Sequence, residues 1–456
     1  MRSIFPIYKL TLRSILRERV ALSMLALLVL VLLLLPQGLQ TDGTVEGALR
    51  MHIRYSLGFS SVLLAGMTLW VSCASIAGDL TSKRLQMVLT KPVGRISLWW
   101  GKWLAVVTLV AILALLCGGV TLWRIHRMVR QTELTDSERE RVFTQQVTAR
   151  RPVDAVVEDL TPRAEELMQT QRQAGAIPEN VSDEEILANI IQFLKFSRHA
   201  ASANESVSWT FPLPRPLVSG EPLQIAYQFD GSSMGLANVP GRWVLEGPEQ
   251  QDVFTHVTAQ TPYGEHVISL DVSPEMAGLR ELTLTFSNLS EDGDRVFFKP
   301  EQGVRLYLEG GAFAPNLLRA ILLITGLLAI LAAIGVSAGS VFSLPVACYA
   351  TSVILLLQAF SGVVEEVLEQ GPDQVEADTT LIARTVQDIQ HGVFRGVLVV
   401  LKPLQVESPL GRVSRGVQIS HMEVAGTFVF RFIPIIAVIS AAGVFCFSKR
   451  EVGGAV

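Results

Sequence analysis

Residues 320 to 364 form a run of 45 positions without a single Asp, Glu, Lys or Arg, bounded by Arg319 and Glu365. The hydrocarbon core of a bilayer is about 30 Å thick and takes about 20 apolar residues to cross as a helix. Two crossings fill this run almost completely, so their join, near Ser337-Ala338-Gly339-Ser340, is expected to be a tight hairpin. The same window finds four more segments of spanning length: residues 20–35, ended by Pro36-Gln37-Gly38, then 56–77, 103–123 and 428–447. The expected fold is an α-helical polytopic membrane protein with six transmembrane helices. The first run, behind a basic leader, also has the outline of a cleaved signal peptide. Against that, it is long, and Leu-Pro-Gln-Gly-Leu-Gln after it is a poor substitute for a small-x-small cleavage site.

Charge supplies the orientation. The chain carries a net −4 with 18% charged residues, below the soluble average of about 25%. That mild total is a cancellation: residues 124–313 hold 17 basic and 28 acidic side chains, whereas the leader, the loop after the second span and the tail together hold 12 basic and 3 acidic. Lys and Arg in short loops mark the cytoplasmic side. They sit in the leader (Arg2, Lys9, Arg13, Arg17, Arg19), in the loop after the second span (Lys83, Arg84, Lys91, Arg95, Lys102) and in the tail (Lys449, Arg450), against Arg50 and Arg54 alone between the first two spans. Both termini are therefore expected in the cytoplasm, with residues 124–316 and 364–427 outside. This distribution disfavours a nucleic-acid binder, a disordered chain and a small disulfide scaffold. Cys73, Cys117, Cys348 and Cys446 all fall in apolar runs, so neither a disulfide framework nor a cysteine-based zinc site holds the polar middle together. The seven histidines lack the i, i+4 pairing that sets two ligands on one helix face, and no metal site is expected.

The expected organisation is an amphipathic leader helix (1–19), helices 1–3 with an intervening loop (20–123, loop 79–101), an extracytoplasmic helical region (124–205), a β-sandwich (206–313), helices 4–5 (314–363), a second external segment (364–427), and a last helix with a short tail (428–456). Thr135-x-x-Glu138 and Ser182-x-x-Glu185 have capping-box spacing, and Pro152, Pro162 and Pro178 divide the helical region. From about Ser206 the period becomes two. Leu223, Ile225, Tyr227 and Phe229 alternate with polar residues and end at Asp230-Gly231; Trp243 and Leu245, Val267 and Ser269, Leu282, Leu284 and Phe286, and Val304, Leu306 and Leu308 suggest further strands. Seven or eight short strands fit a sandwich of immunoglobulin-like or jelly-roll type.

This block offers no legible active site. Glu291, Asp292 and Asp294 fit a solvated hairpin better than a calcium loop. Trp209, Trp243 and Tyr263 fit core packing better than a sugar platform. A glycosidase carboxylate pair cannot be picked from 28 acids, and the sequons at Asn180, Asn204 and Asn288 carry no function by themselves. The second external segment is acidic at its start (Glu365, Glu366, Glu369, Asp373, Glu376, Asp378) and apolar from Val397 to Leu401, which suits a small helical cap.

On the cytoplasmic side the leader, read as a helix, puts Phe5, Tyr8, Leu12, Ile15 and Leu16 on one face with Lys9, Arg13 and Arg17 in a flanking stripe. That is the pattern of a helix lying at lipid headgroups. After the second span, Asp79 to Thr90 reads as a short helix stopped by Lys91-Pro92, and Val93-Gly94-Arg95 leads back to the membrane through Trp99, Trp100, Gly101 and Lys102. Lipid gives such a helix no reason to exist, so a cytoplasmic docking partner is expected.

Asp79, then Val88-Leu89-Thr90-Lys91-Pro92-Val93-Gly94-Arg95, then Gly101-Lys102, together with Pro403, Leu404 and Gly416 before the last span and Ser448-Lys449-Arg450-Glu451 after it, form an ordered series of phrases. In that order and on those sides of the membrane they resemble the integral-membrane subunits of ABC transporters of the type-2 exporter class, including the six-span branch related to the gliding-motility and nitrous-oxide-reductase maturation permeases. The likeness covers the spans and short loops and leaves out the external block; Asp79 stands where Glu is usual, and the Gly-Thr pair after it is absent. The resemblance implies a bacterial inner-membrane permease subunit. Its leader would be the interfacial connecting helix, and its loop the coupling helix in a groove of the ATPase, with Asp79, Lys83, Arg84, Met87, Leu89, Lys91, Pro92 and Arg95 as coupling residues. It also implies short helices of the second external segment dipping at the outer face of a pore.

No Gly-x-x-x-x-Gly-Lys-Ser/Thr stretch exists in the chain, so it supplies no ATP site of that type; the resemblance implies that ATP and Mg are held by a separate ATPase subunit and that a second copy or a paralogue completes the pore. No ionisable side chain lies at mid-depth of any span, which disfavours an ion-coupled carrier. Arg319 and Arg431 lie near span ends, where long side chains can snorkel. The competing class is a membrane receptor or scaffold without an ATPase, whose external domain binds a protein or glycan.

Overall fold

A computed structural model of the chain describes residues 4–34, 45–82, 94–131, 148–156, 159–174, 183–231, 238–247, 252–262, 264–290, 295–300, 303–359 and 409–449. The chain divides into two compact units, Met1–Val142 with Ala312–Val456, and Phe143–Gly311. In chain order the helices are α1 (Ile4–Ile15), α2 (Arg19–Leu34), α3 (Val45–Thr81), α4 (Arg95–Gln131), α5 (Thr161–Gln173), α6 (Asp183–Arg198), α7 (Phe313–Val341), α8 (Leu344–Ala359), α9 (Pro409–Ser414), α10 (His421–Thr427) and, after a π-helical turn over Phe428–Phe432, α11 (Ile433–Lys449).

The first unit is a bundle of apolar helices. Among the described residues, four stretches are long and apolar enough to cross a membrane: Met51–Thr81, Arg95–Arg130, Phe313–Val341 and the continuous run His421–Lys449. The segments expected at 20–35 and at the end of the charge-free run form α2 and α8, 16 residues each. At about 1.5 Å per residue their described lengths come to about 24 Å, against a core of about 30 Å. Helix α7 is the centre, packed on α3, α4, α8 and α11. Its most apolar window is 67% buried, against 22% for the last helix.

The hairpin expected at 337–340 lies elsewhere. Helix α7 runs straight through those residues, and the chain breaks at Phe342, whose extended backbone ends the helix. Small residues there serve contact rather than a turn. A Cβ on Gly339 would lie 2.5 Å from the Cys73 carbonyl oxygen of α3, and one on Gly335 would lie 1.9 Å from Ser72 Oγ. Glycines four apart let two helix backbones approach closely where no water drives them together. The serine hydroxyls turn inward: Ser340 donates to the Ser337 carbonyl and Ser337 to that of Ile439.

Helix α1 turns Ile7, Thr11 and Ile15 into the bundle. Phe5 and Leu16 stay exposed, and Tyr8 stacks on Phe5. The expected apolar face thus splits, because a helix resting on a neighbour uses one arc against protein and the adjoining arc, here Phe5, Leu12 and Leu16, against its surroundings. Exposed Lys9 and Arg13 border that second arc. At the joint to α2, Trp70 of α3 donates to Glu18 at 3.4 Å.

The second unit is β-rich and wholly separate in its core. Strands β1 (Thr148–Val153), β2 (Ala200–Ala201), β3 (Ser206–Pro212), β4 (Pro222–Gly231), β5 (Val239–Glu246), β6 (Asp252–Gln260), β7 (Glu265–Asp271), β8 (Glu281–Asn288), β9 (Val296–Phe298) and β10 (Val304–Ala312) form two sheets. One has the order β1-β10-β4-β9-β2 with β7 also on β4; the other is β3-β8-β5-β6. The alternation read in the sequence faces one core, in which Trp209, Trp243, Phe286 and Phe298 meet with Leu223, Ile225, Leu284 and Leu306. Both sheets contribute to it. Within β7, Ile268 is buried and Val267 exposed. The region 124–205, expected to be helical, also supplies β1 and β2, while α5 and α6 pack on each other through Ala164, Ile186 and Ile190. Helix α4 continues past Trp123 to Gln131. Thr135 and Glu138 fall outside the described residues, as do Ser182, Tyr263, the Glu291–Asp294 turn and most of the second external segment.

Candidate functional site

The expected docking loop joins α3 to α4. Lys83, Arg84, Met87, Leu89, Lys91 and Pro92 lie outside the described residues; Asp79 and Arg95, at its two stems, lie within them. Each stem is fastened to the bundle by a charged side chain. Lys102, 3% exposed, is the buried partner of Asp79, with Nζ 2.5 Å from Oδ2. The same ammonium donates to the Ser75 carbonyl one turn earlier on α3. A buried ammonium is tolerated only with a close counter-charge and further acceptors, and here α3 supplies both. Lys102 is in the helix whose first turns carry Trp99, Trp100 and Trp103, a mutually stacked and edge-packed trio. Two of these indoles donate into α7: Trp99 to Ser337 Oγ at 3.2 Å and Trp103 to the Ala329 carbonyl at 2.9 Å.

Arg95 opens α4 and reaches the other end of the chain. Its guanidinium donates to the Phe447 carbonyl at 2.8 Å and to that of Ser448, and its Cζ lies 5.5 Å from the Phe447 ring centroid. The last carbonyls of a helix have no intrahelical partners and carry the negative end of the dipole, so a cation there satisfies both. Leader helix α1 lies against the same part of α4. A Cβ on Gly101 would come 2.9 Å from Ile7 Cγ2 and 3.2 Å from the Ile4 carbonyl oxygen, so any larger residue there must shift the Ile7 side chain and push α1 outward. One end of the bundle thus gathers α1, both loop stems and the end of α11.

Lys102, quoted with Gly101 in the resemblance, was not among the expected coupling residues, nor was Ser75, although a signal existed: Lys102 is a lone cation within Trp-Trp-Gly-Lys-Trp-Leu, an apolar phrase that must give it a partner. At the opposite end of α7, Arg319, expected to snorkel, instead donates to the Ile419 carbonyl at 3.0 Å and touches His421. Asn316 donates to the Val417 carbonyl and accepts from the Ile419 amide, so this pair pins the segment that enters the last helix. Arg431 falls in the π-helical turn. Between α7, α8 and α11 lies a groove of about 400 Å³ lined by Ile334, Ala338, Val341, Ile354 and Val438, with no charged group. Among the described residues no three His, Cys, Asp or Glu side chains gather as metal ligands.

In the β unit, burial pushes the Tyr227 phenol up from its ordinary value, and hydrogen bonds to Ser202 and the nearby Arg295 charge hold Glu205 low. These groups support the fold; Trp209 and Trp243 are both core residues and offer no platform to a sugar. No family model, curated protein or solved structure matches this chain.

Proposed function

We propose that the chain is the membrane subunit of an ATP-driven ABC exporter of the type-2 class, moving or gating a substrate, or transmitting force, across a bacterial inner membrane. ATP and Mg are then held by a separate ATPase subunit, and a second copy or a paralogous permease completes the assembly. In this reading α2 and α8 count as crossings, six in all, with both termini cytoplasmic. The β unit is read as an extracytoplasmic sandwich, its two sheets facing one core.

The observation that carries the reading is the gathering at one bundle end of a basic-edged amphipathic helix, two charge-anchored loop stems and the C-terminal end of the last helix. A loop that only joins two helices gains nothing from such fastening. A loop that is pushed by a partner needs it, because force applied to loose stems would be lost in local bending. The charge-free middles of the long helices also support an energy source outside the lipid.

Reversal of one basic position of the loop tests this. Arg84→Glu is expected to lower the ATPase recovered with the chain, or its hydrolysis in the complex, at least several-fold. Unchanged recovery and hydrolysis would favour a receptor or scaffold whose outer domain does the work.

A further inference from the structure

Helices α3 and α4 run antiparallel from the Asp79–Lys102 pair, and their far ends carry a second polar cluster. His52 lies 27 residues before Asp79 on α3, and Arg124 lies 22 residues after Lys102 on α4. At about 1.5 Å per residue these separations come to about 40 Å and about 33 Å, more than the roughly 30 Å of a hydrocarbon core. With the Asp79–Lys102 pair at one face of the bilayer, His52 and Arg124 therefore reach the headgroups of the other. Their surroundings suit that level. Trp123 is exposed, Arg127 stands over its ring with Cζ 5.6 Å from the centroid, and Arg54 and Arg130 are exposed. None of the ion pairs among the described residues involves Arg54, Arg124, Arg127 or Arg130.

His52 is 6% exposed, and its Nε2 has no hydrogen-bond partner among the described residues. A buried polar nitrogen left without a partner is costly, and rare in folded chains. The charge of Arg124 acts on this imidazole, and Arg124 itself is half-buried, its Nη2 donating over 3.2 Å to the Leu33 carbonyl near the end of α2. A guanidinium only donates. In the tautomer with the ring proton on Nε2 both groups present N–H donors, and their common complement is an anionic oxygen. We propose that His52 and Arg124 form a binding site for a phosphate group, carried by a phospholipid headgroup or supplied as free phosphate. Phosphate oxygens can accept from Nε2–H and, bidentately, from the guanidinium, which exchanges its long bond to Leu33 for charge-assisted ones. The headgroup level supplies phosphate at high local concentration, which favours it over a carboxylate. Nothing in this site depends on an ATPase, so it stands or falls apart from the exporter reading.

The test uses the full chain, stripped of lipid in mild detergent, with bound molecules counted by native mass spectrometry. The probes are dioctanoyl phosphatidic acid, dioctanoylglycerol, which lacks the phosphate, and inorganic phosphate as a competitor. One phosphatidic acid should bind at least about tenfold more tightly than dioctanoylglycerol. His52→Leu and Arg124→Gln should each remove at least about tenfold of that affinity, whereas Arg127→Gln should stay within about twofold of wild type. His52→Gln, which keeps an N–H donor, should retain part of the binding. Helical circular dichroism checks the fold without lipid: His52→Leu removes the unmet nitrogen and should unfold no earlier than wild type. Displacement by millimolar inorganic phosphate would support the site as one for the phosphate group alone, and binding that persists against it would support the lipid headgroup as its source. Equal binding of phosphatidic acid and dioctanoylglycerol overturns the proposal, and so does wild-type affinity in both His52→Leu and Arg124→Gln. An equal loss in Arg127→Gln also overturns it, because the binding would then follow surface charge.

Discussion

Replacing Gly339 with alanine isolates how closely α7 and α3 approach. An added Cβ would stand 2.5 Å from the Cys73 carbonyl oxygen and 3.3 Å from that residue's Cα. Both obstacles are backbone, so no rotamer change relieves them, and the helices must separate by about 1 Å along the contact. A gap of that size forfeits roughly a quarter to a half of the dispersion energy of each facing atom pair. Overpacking of this kind costs about 1–3 kcal/mol. Alanine also favours helix by about 1 kcal/mol over glycine, which would hide part of the loss. Gly58→Ala removes that ambiguity: Gly58 lies in α3 with nothing within 4 Å of an added Cβ, so it takes the propensity gain alone. Unfolding of both variants in detergent micelles, followed by the loss of helical circular dichroism, should place Gly339→Ala about 1–3 kcal/mol below Gly58→Ala. Gly335→Ala provides an internal check, since its obstacle is the Ser72 side chain and Ser72→Ala should recover part of the loss. Equal stabilities for the Gly339 and Gly58 variants would refute the close packing.

Three further outcomes follow from the same contacts. Trp243→Ala, at the centre of Trp209, Tyr227, Phe286 and Phe298 in the β unit, should cost about 3–5 kcal/mol in denaturant unfolding; a loss under 1 kcal/mol would mean the two sheets do not share this core. Because the Tyr227 pKa is raised in the fold, its contribution is complete below the unfolded value of about 10 and is lost as pH rises through the folded one. Tyr227→Phe should therefore flatten the fall of stability above about pH 10, and an unchanged slope would contradict the burial. Asp79→Asn strands the buried Lys102 ammonium, with a loss at or below the roughly 3–5 kcal/mol of a broken buried pair, because the Ser75 carbonyl remains. Lys102→Met should cost less, since Asp79, 30% exposed, can hydrate, and the double variant should resemble Lys102→Met. An Asp79→Asn chain as stable as wild type would show that the pair is not buried.

Much of this molecule could be read from residue order. Apolar length and the absence of charge located the long helices, because lipid imposes those two conditions directly. Strands β5 and β8 were visible through alternation, one face buried and the other less so, and β4 and β10 through the apolar residues they turn into the core. Strand β1, Thr-Ala-Arg-Arg-Pro-Val, was not: it lies at the end of its sheet, buries only Ala149 and Val153, and carries two arginines and a proline. Edge strands escape the pattern because one face and one side remain free. The break between α7 and α8 was misjudged because small polar residues mark a turn in water but a close helix contact in a bundle. Of the loop, residues 83–93 lie outside the described residues, and the fastening of its stems was not legible. Lys102 meets Asp79 across 23 residues, and Arg95 meets Ser448 across 353, separations that no local pattern encodes.

The central claim, a membrane subunit worked by a separate ATPase, is tested most directly by isolating the tagged full chain from its own membranes in mild detergent and identifying what comes with it by mass spectrometry. The account predicts an ATPase bearing the Gly-x-x-x-x-Gly-Lys-Ser/Thr loop that this chain lacks, in near-equal amount and hydrolysing ATP in the purified complex. Repeated recovery of the intact chain with no ATPase would contradict it.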